Sequence, residues 1–384
     1  MIHFPISRLS LGLRLPIVRP GTSWWGLPNF SGCFGLCDVY LLHHFCGRQK
    51  VGYMAVRFGA LVFSVGLMLA GGAQAAPLQA VSGWSGYFLP FVGHVSTDSQ
   101  FNTDADNAQT DSLHARGRDS GRTRVLPLGL VSYTFAPQRA QVYFGIPPQN
   151  VAEGFFQVEL GVRHQLANGV GLRAAWLPLA SLDNETWSDP FVSGRPRQTS
   201  DQQARGAKLA VEDLFGGMAL RYEWLRRTVD EERSGEALGL DWASRELLRR
   251  DARAHRYTLE YAWRVAPGLT LLPALRYERE RADGAALSFD GWRPQMTLFW
   301  RGGPHQASVS VFHESRRYDA PHPVYGQTRD DRGYGVVLGY GHREPFHLKN
   351  WRADVYLVGA RDDSNLDFYD RRSLIAAVGV GYSF

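Results

Sequence analysis

The chain has 384 residues, with 42 Lys and Arg against 37 Asp and Glu and a formal net charge of +5, room for one large domain or two ordinary ones. The basic excess sits at one end: Arg8, Arg14, Arg19, Arg48, Lys50 and Arg57 lie in residues 1–75 beside a single acid, Asp38, leaving 36 basic and 36 acidic residues in 76–384. With that balance, nucleic-acid binding loses its main support.

In chain order, the first recognisable element is residues 54–75, MAVRFGALVFSVGLMLAGGAQA. Arg57 precedes an apolar run from Phe58 to Ala70, and small residues then lead to Ala73-Gln74-Ala75. This is the pattern of a secretory signal peptide cleaved between Ala75 and Ala76. The apolar core is short for a transmembrane anchor. Since a signal peptide opens a protein, Met54 is read as the start, and residues 1–53 as a disordered upstream over-extension of the reading frame. Cys33, Cys37 and Cys46 all lie there, near His43 and His44, but without the paired C-x-x-C spacing of a zinc site. Residues 76–384 form the remaining domain, without cysteine.

No run in 76–384 is apolar for the 18 or so residues that a membrane helix needs. What recurs is alternation, in segments of about ten residues. In MALRYEW (218–224), Met218, Leu220, Tyr222 and Trp224 oppose Arg221 and Glu223; in RYTLEYAWRV (256–265), Tyr257, Leu259, Tyr261, Trp263 and Val265 oppose Arg256, Thr258, Glu260 and Arg264. LTLLPALRYERE (269–280), WRPQMTLFW (292–300) and WRADVYLVG (351–359) repeat it. The apolar faces carry Tyr, Trp and Phe near segment ends, as an interfacial girdle does, and the polar faces carry both signs of charge.

About fourteen strands are predicted, near 84–95, 125–136, 140–147, 154–166, 170–179, 203–214, 218–229, 251–265, 269–280, 291–301, 305–315, 331–344, 350–361 and 369–384. Tight turns at 137–139, 167–169, 216–217, 266–268, 302–304 and 344–346 use residues that tolerate turn geometry. They alternate with longer polar connections such as 96–124, 180–202, 230–250 and 316–330. A short helix is predicted at 241–250. The fold class is all-β: a transmembrane antiparallel up-and-down barrel in the outer membrane, with short periplasmic turns and long outer loops. The chain ends in VGVGYSF, a strand with one apolar face, which pairing with the first strand would remove as an open edge.

FNTDADNAQTDSL (101–113), LPLGLVSYTF (126–135), FFQVELGVRHQL (155–166) and ETWSDPFVSGRPRQTSD (185–201) resemble the bacterial domain-of-unknown-function family 2860, over most of 84–384. The resemblance implies an outer-membrane β-barrel and brings no catalytic residue, substrate or cofactor. It also implies that the barrel-assembly machinery reads the last strand, with Val380, Tyr382 and the terminal Phe384 docked by strand addition.

Four sets of residues invite a chemical reading. Asp104, Asp106 and Asp111 offer oxygen ligands to a cation, without the glycine of an EF-hand loop; solvated surface is the plainer reading. Arg163, Arg173, Lys208, Glu212, Arg221, Glu223, Arg256, Glu260, Arg264, Arg276, Glu278, Arg352 and Asp354 fall on lumen-facing positions. Unpaired charges in a dry interior cost several kcal/mol each, so these line a wet pore or pair across strands in a closed barrel. Fourteen strands favour the pore, because small barrels fill with side chains and larger ones leave space. Ser308 and Ser310 near His305 and His313 are the residues a hydrolase would use, with no nucleophile-elbow motif around them. The outer loops, Asp230 to Arg233 among them, would serve an adhesive barrel. The function read is therefore a passive pore with a mixed-charge lumen, set against a closed structural or surface-binding barrel, with outer-membrane lipid as the standing partner.

Overall fold

The computed structural model describes residues 78–147, 150, 157–180 and 184–384. The over-extension, the signal peptide and the cleavage residues Ala73, Ala75 and Ala76 lie outside them, as do the three cysteines. Sixteen strands appear in order: β1 (Gly83–Thr97), β2 (Ser120–Phe135), β3 (Ala140–Gly145), β4 (Val158–Gln165), β5 (Gly171–Leu179), β6 (Glu185–Trp187), β7 (Thr199–Leu214), β8 (Met218–Val229), β9 (Ala252–Tyr261), β10 (Trp263–Ala266), β11 (Leu269–Ala282), β12 (Phe289–Gly302), β13 (His305–His322), β14 (Gln327–Arg343), β15 (Trp351–Ser364) and β16 (Arg371–Ser383). The short β6 is a spur on β7, and β10 continues β9 past Ala262. Fourteen antiparallel staves remain, each hydrogen-bonded to its sequence neighbours, and β16 closes on β1. Gly86 and Phe384 exchange both backbone hydrogen bonds at 2.9 Å, so the last residue is tied into the ladder. Among the described residues no helix is long and apolar enough to cross a membrane.

Alternation is what makes these segments strands, and it decides which side each residue takes. On β16, Leu374, Val378, Val380, Tyr382 and Phe384 are exposed while Gly379 and Gly381 are buried. The exposed apolar set recurs on the other staves, from Trp84 and Phe88 through Leu298, Val309 and Leu338. A soluble protein would not display it; a lipid-embedded barrel requires it. Tyr222, Tyr257, Tyr277 and Trp292 lie in register across β8, β9, β11 and β12 with ring centroids 5.2, 6.3 and 4.8 Å apart. They form part of one girdle. Trp300, eight residues along β12 from Trp292, belongs to the other, about 26 Å away along the strand, or roughly 20 Å of height at the tilt of an outer-membrane barrel strand, somewhat less than the apolar band of such barrels.

Seven outer connections, L1 (98–119), L2 (146–157), L3 (180–198), L4 (230–251), L5 (283–288), L6 (323–326) and L7 (365–370), alternate with tight turns at the other end. A short helix, α1 (Trp242–Glu246), sits in L4 and is capped by Asp241, whose carboxylate accepts from Ser244 N at 2.8 Å. One expectation is corrected. The stretch 316–330 is not a long loop: β13 runs to His322 and β14 starts at Gln327, with a four-residue turn between. Beyond the bilayer neither face has to be apolar, so the two-residue hydrophobic period fades while the backbone ladder continues through Arg316↔Asp331 and Pro321↔Thr328.

Candidate functional site

The interior has two unlike walls. On the wall formed by β7, β8, β9 and β11, the register sets Lys208 opposite Glu223, Glu223 opposite Arg256 and Arg256 opposite Glu278. Opposite charges thus alternate along one row, the cross-strand arrangement that stabilises a sheet. Lys208 donates to Glu159 (2.6 Å) and reaches Glu223 (3.1 Å); Arg256 reaches Glu278 (2.9 Å) and Glu223 (3.9 Å). One step along the strands, Arg221, Thr258, Arg276 and Arg293 share the next row. Arg221 pairs with Glu260 at 2.9 Å, while Arg173 and Arg163 share Glu212 at 2.9 and 3.5 Å. Glu159 is fully buried and also accepts from Tyr143 and Asn150, both at 2.8 Å.

Twelve of the thirteen residues singled out for the lumen therefore lie on the inner face, buried or half-buried. Ten belong to this linked wall, and Arg352 and Asp354 pair with each other on β15, Nε to Oδ2 2.5 Å. Arg264 is the exception. It lies on the fully exposed β10, opposite Thr270, next to the Pro267-Gly268 turn and away from the buried rows. Its alternation is right, but the strand has by then reached the rim.

The opposite wall, from β15 through β16 and β1 to β2, carries an apolar patch on its inner face beside the Arg352–Asp354 pair. Tyr87, Leu89, Phe91, Leu128 and Ile146 form a buried cluster, with Leu126, Leu130, Tyr356 and Ala377 packed against it. Gly379 makes room for it, since a Cβ there would stand 2.9 Å from the Phe91 ring.

Over the outer mouth the loops build a core of their own. Phe191 of L3, Leu248 of L4 and Leu366, Phe368 and Tyr369 of L7 are buried together, with Phe101 and Leu113 of L1 and Val324 and Tyr325 of L6 against them. Polar tethers tie the loops to one another. Asp189 accepts from Phe191 N (3.0 Å), Gly235 N (3.0 Å) and Ala237 N (2.8 Å), joining L3 to L4. Arg250 donates to Glu232 (2.7 Å), Thr186 (3.1 Å) and Ser188 O (3.0 Å). Arg197 donates to Gln100 O (2.9 Å) and lies over the Trp187 ring (4.5 Å); burial pulls its guanidinium down to about 10. Tyr369 meets His322 Nε2 at 2.8 Å, and the Arg329 guanidinium lies 3.5 Å from its ring centre. Burial pushes the Tyr369 phenol up to about 12 and raises that of Tyr325 too. Of these residues only Glu232, within the loop stretch Asp230 to Arg233, was singled out from the sequence. The available signal was the presence of Phe191, Leu248, Phe368 and Tyr369 in otherwise polar connections.

Two cavities lie between lid and walls. One, about 400 Å³, is lined by arginine-rich positions of β8 to β14 together with Phe191, Leu248 and Tyr369 of the lid. The other, about 530 Å³, runs along the apolar wall past Phe91, Leu126, Leu128, Tyr356 and Ile375. Both are of the size in which small molecules bind.

Other candidates disperse. Asp104 is held by Arg122, Asp111 by Arg118 at 2.7 Å, and Asp106 is exposed, so the three acids do not converge. No cluster of three or more metal-ligating side chains occurs among the described residues. Ser308 and Ser310 share the inward parity of β13, with Ser310 1% exposed and bonded to Thr297 at 2.7 Å; His305 and His313 share the parity of the exposed Val309 and Val311. Alternation puts base and nucleophile on opposite sides of the sheet, and no such hydrolytic pair forms. Val380, Tyr382 and Phe384 all face outward.

A family model described as "Protein of unknown function (DUF2860)" matches residues 83–383. No curated protein matches the chain. Among solved structures, the chain is similar to the outer-membrane channel DcaP of Acinetobacter baumannii, with TM-score 0.42 and 9% identity over 79% of this chain and 97% of that one. It is also similar to an anion-selective porin from Comamonas acidovorans (TM-score 0.39, 10% identity, 79% and 100% covered). A loop-deletion mutant of the Vibrio cholerae outer-membrane protein OmpT is a third (TM-score 0.39, 11% identity, 79% and 99% covered). Scores this low say nothing of what this barrel carries.

Proposed function

The chain belongs to the DUF2860 family, whose description assigns no role, and we propose from the geometry of its interior that it is a narrow passive channel for small solutes with a mixed-charge lumen. The observation that carries this reading is the pair of cavities left beneath the loop core, one beside the charged wall and one along the apolar wall. A barrel kept only for rigidity gains nothing from arginines and carboxylates held beside open space, because charges removed from water cost more than an apolar filling of the same volume. Water in the cavities removes much of that cost. The loop core makes the channel narrow, and the paired rows leave it without a strong overall preference for one sign of ion.

The test is conductance in planar bilayers. The intact barrel is expected to give small steps. Asp189→Ala, which strips three backbone N–H groups of their acceptor between L3 and L4, loosens the lid and is expected to enlarge them. The loop core also favours a second reading, a closed structural or surface-binding barrel. Folded, heat-modifiable protein that carries no current with or without Asp189 would establish that reading instead.

A further inference from the structure

We infer that the outer rim of β7, β8, β9 and β11, on the lipid side of the barrel, is a binding face for the phosphoryl groups of the glycolipid in the outer leaflet of the membrane. It holds for an open and for a closed lumen alike.

The first observation is a row of like charges. The register sets Arg205 opposite Arg226, Arg226 opposite Arg253 and Arg253 opposite Arg281. All four share the parity of exposed apolar residues on their own strands, Leu209, Leu220, Leu259 and Leu275, so the row lies outside the barrel. Like charges directly opposite one another destabilise a sheet. Arg281, at one end, leans away to Asp290 and Asp319 on β12 and β13, at 3.3 Å from each. Asp290 also accepts from Tyr277 at 3.0 Å and lies 3.9 Å from Arg279, so it is fully engaged. Arg205, Arg226 and Arg253 are exposed, and among the described residues no carboxylate pairs with them; Arg205 donates only to Gln203 at 3.2 Å. The outer face of β13 to β15 is built the other way: Arg317 stands opposite Asp330 and Arg332 opposite Asp363. Asp330 lies 3.9 Å from both Arg317 and Arg332, and Arg361 takes Asp363 at 2.5 Å. That face satisfies itself, whereas the arginine row asks for an anion from outside.

The second observation is height. The row stands four residues beyond Tyr257 of the aromatic girdle, about 13 Å along the strand. Trp224 and His255 lie opposite each other between the two. Such a girdle marks the level at which acyl chains give way to headgroups, so the free guanidinium groups sit in the headgroup layer. Acids come further out: Asp251 and Asp283 two residues beyond the row, Asp201 and Asp230 four. Asp251 is occupied, accepting from Val229 N at 2.9 Å. Charge on this face is therefore layered, basic at the headgroups and acidic above them. Four arginines in a row cover three strand spacings, about 14 Å, enough to meet more than one phosphoryl group, and guanidinium matches phosphate in bidentate geometry. A free phosphate has no use for the aromatic shelf, and a zwitterionic lipid leaves the repulsion in the row unrelieved. A phosphorylated glycolipid answers both.

The test is native mass spectrometry of the purified full barrel in detergent micelles, with bisphosphoryl lipid A, dephosphorylated lipid A and phosphatidylethanolamine offered at equal concentration. EDTA is present, so that no divalent cation bridges the outer acids to the lipid. Bisphosphoryl lipid A is expected to be retained at least tenfold better than either other lipid, and inorganic phosphate at the same concentration is expected not to displace it. Arg226→Gln combined with Arg253→Gln should lower that retention about tenfold, while Arg317→Gln combined with Arg332→Gln leaves it unchanged. If the first double variant does not give the folded, heat-modifiable band, Arg226→Gln alone replaces it, with a loss of about threefold expected. Equal retention of the phosphorylated and dephosphorylated lipids, displacement by inorganic phosphate, the same loss in both double variants, or full retention by the folded Arg226 and Arg253 variant would each overturn the inference.

Discussion

The seam and the charged wall of this barrel obey the same alternation and end with opposite interiors. Along β7 to β11 the outward residues are Leu, Tyr and Trp and the inward ones Lys, Glu and Arg, so one face is greasy and the other ionic. Along β1 and β2, YFLPFV (87–92) and LPLGLV (126–131) are apolar on both faces, and the inner set packs into a dry cluster beside the closing strand. Lipid dictates the outer face of every stave. The inner face is free to vary, and here it is divided: a dry core where the ends of the chain meet, and paired charge beside open space across from it. The difference shows where packing alone holds the barrel together, and where removing a single partner leaves a charge stranded.

The sharpest way to break the comparison is Lys208→Met. Lys208 and Glu159 are 3% and 0% exposed, and the substitution leaves the glutamate with only Tyr143 and Asn150 as donors. The expected loss is about 3–5 kcal/mol, as for other buried pairs cut on one side. Lys208→Met combined with Glu159→Gln is expected to recover much of it. Urea midpoints of the folded band in detergent report both. On the seam, Leu128→Ala removes only packing, and the loss is expected at the lower end of about 2–5 kcal/mol, because the neighbouring cavity lets the wall relax. A partner substitution restores nothing there. If Leu128→Ala proved costlier than Lys208→Met, the division into a dry wall and an ion-paired wall would be wrong.

The smallest effect belongs to the lid. Tyr369 is held neutral by burial, with its phenol near 12, while Arg329 pulls that value down and Asp331 pushes it up; His322 and Tyr325 share its surroundings. A phenol whose folded value lies above the ordinary value of about 10 stabilises fully below that ordinary value, and the contribution is lost as pH rises through about 12. Conductance steps are therefore expected to grow reversibly between pH 10 and pH 12. Tyr369→Phe should flatten that rise without altering the steps at pH 7.

Every stave was legible before the structure, from the two-residue period and from glycine and proline at the tight turns; β8 was read to its terminal residues, Met218 and Val229. Strand ends outside the bilayer were not, as β13 and β14 show, because the period fades where lipid no longer selects one face. The inward parity of Arg163, Lys208, Glu212 and Glu260 was equally plain, since side follows from position alone. Their partners were not. Lys208 meets Glu159 from 49 residues away, a pairing that depends on the stagger of the staves. Arg264 showed the converse, with correct parity but a place at the rim.

The sequence by itself therefore determined the barrel, its membrane-facing side and the last strand as the closing one, because lipid imposes a local rule on each residue in turn. Only the tertiary structure decided which charges meet, that Phe191, Leu248, Phe368 and Tyr369 leave three separate polar stretches to form one lid, and that two cavities remain beneath it. Those depend on distances between residues far apart in the chain, which no local period encodes.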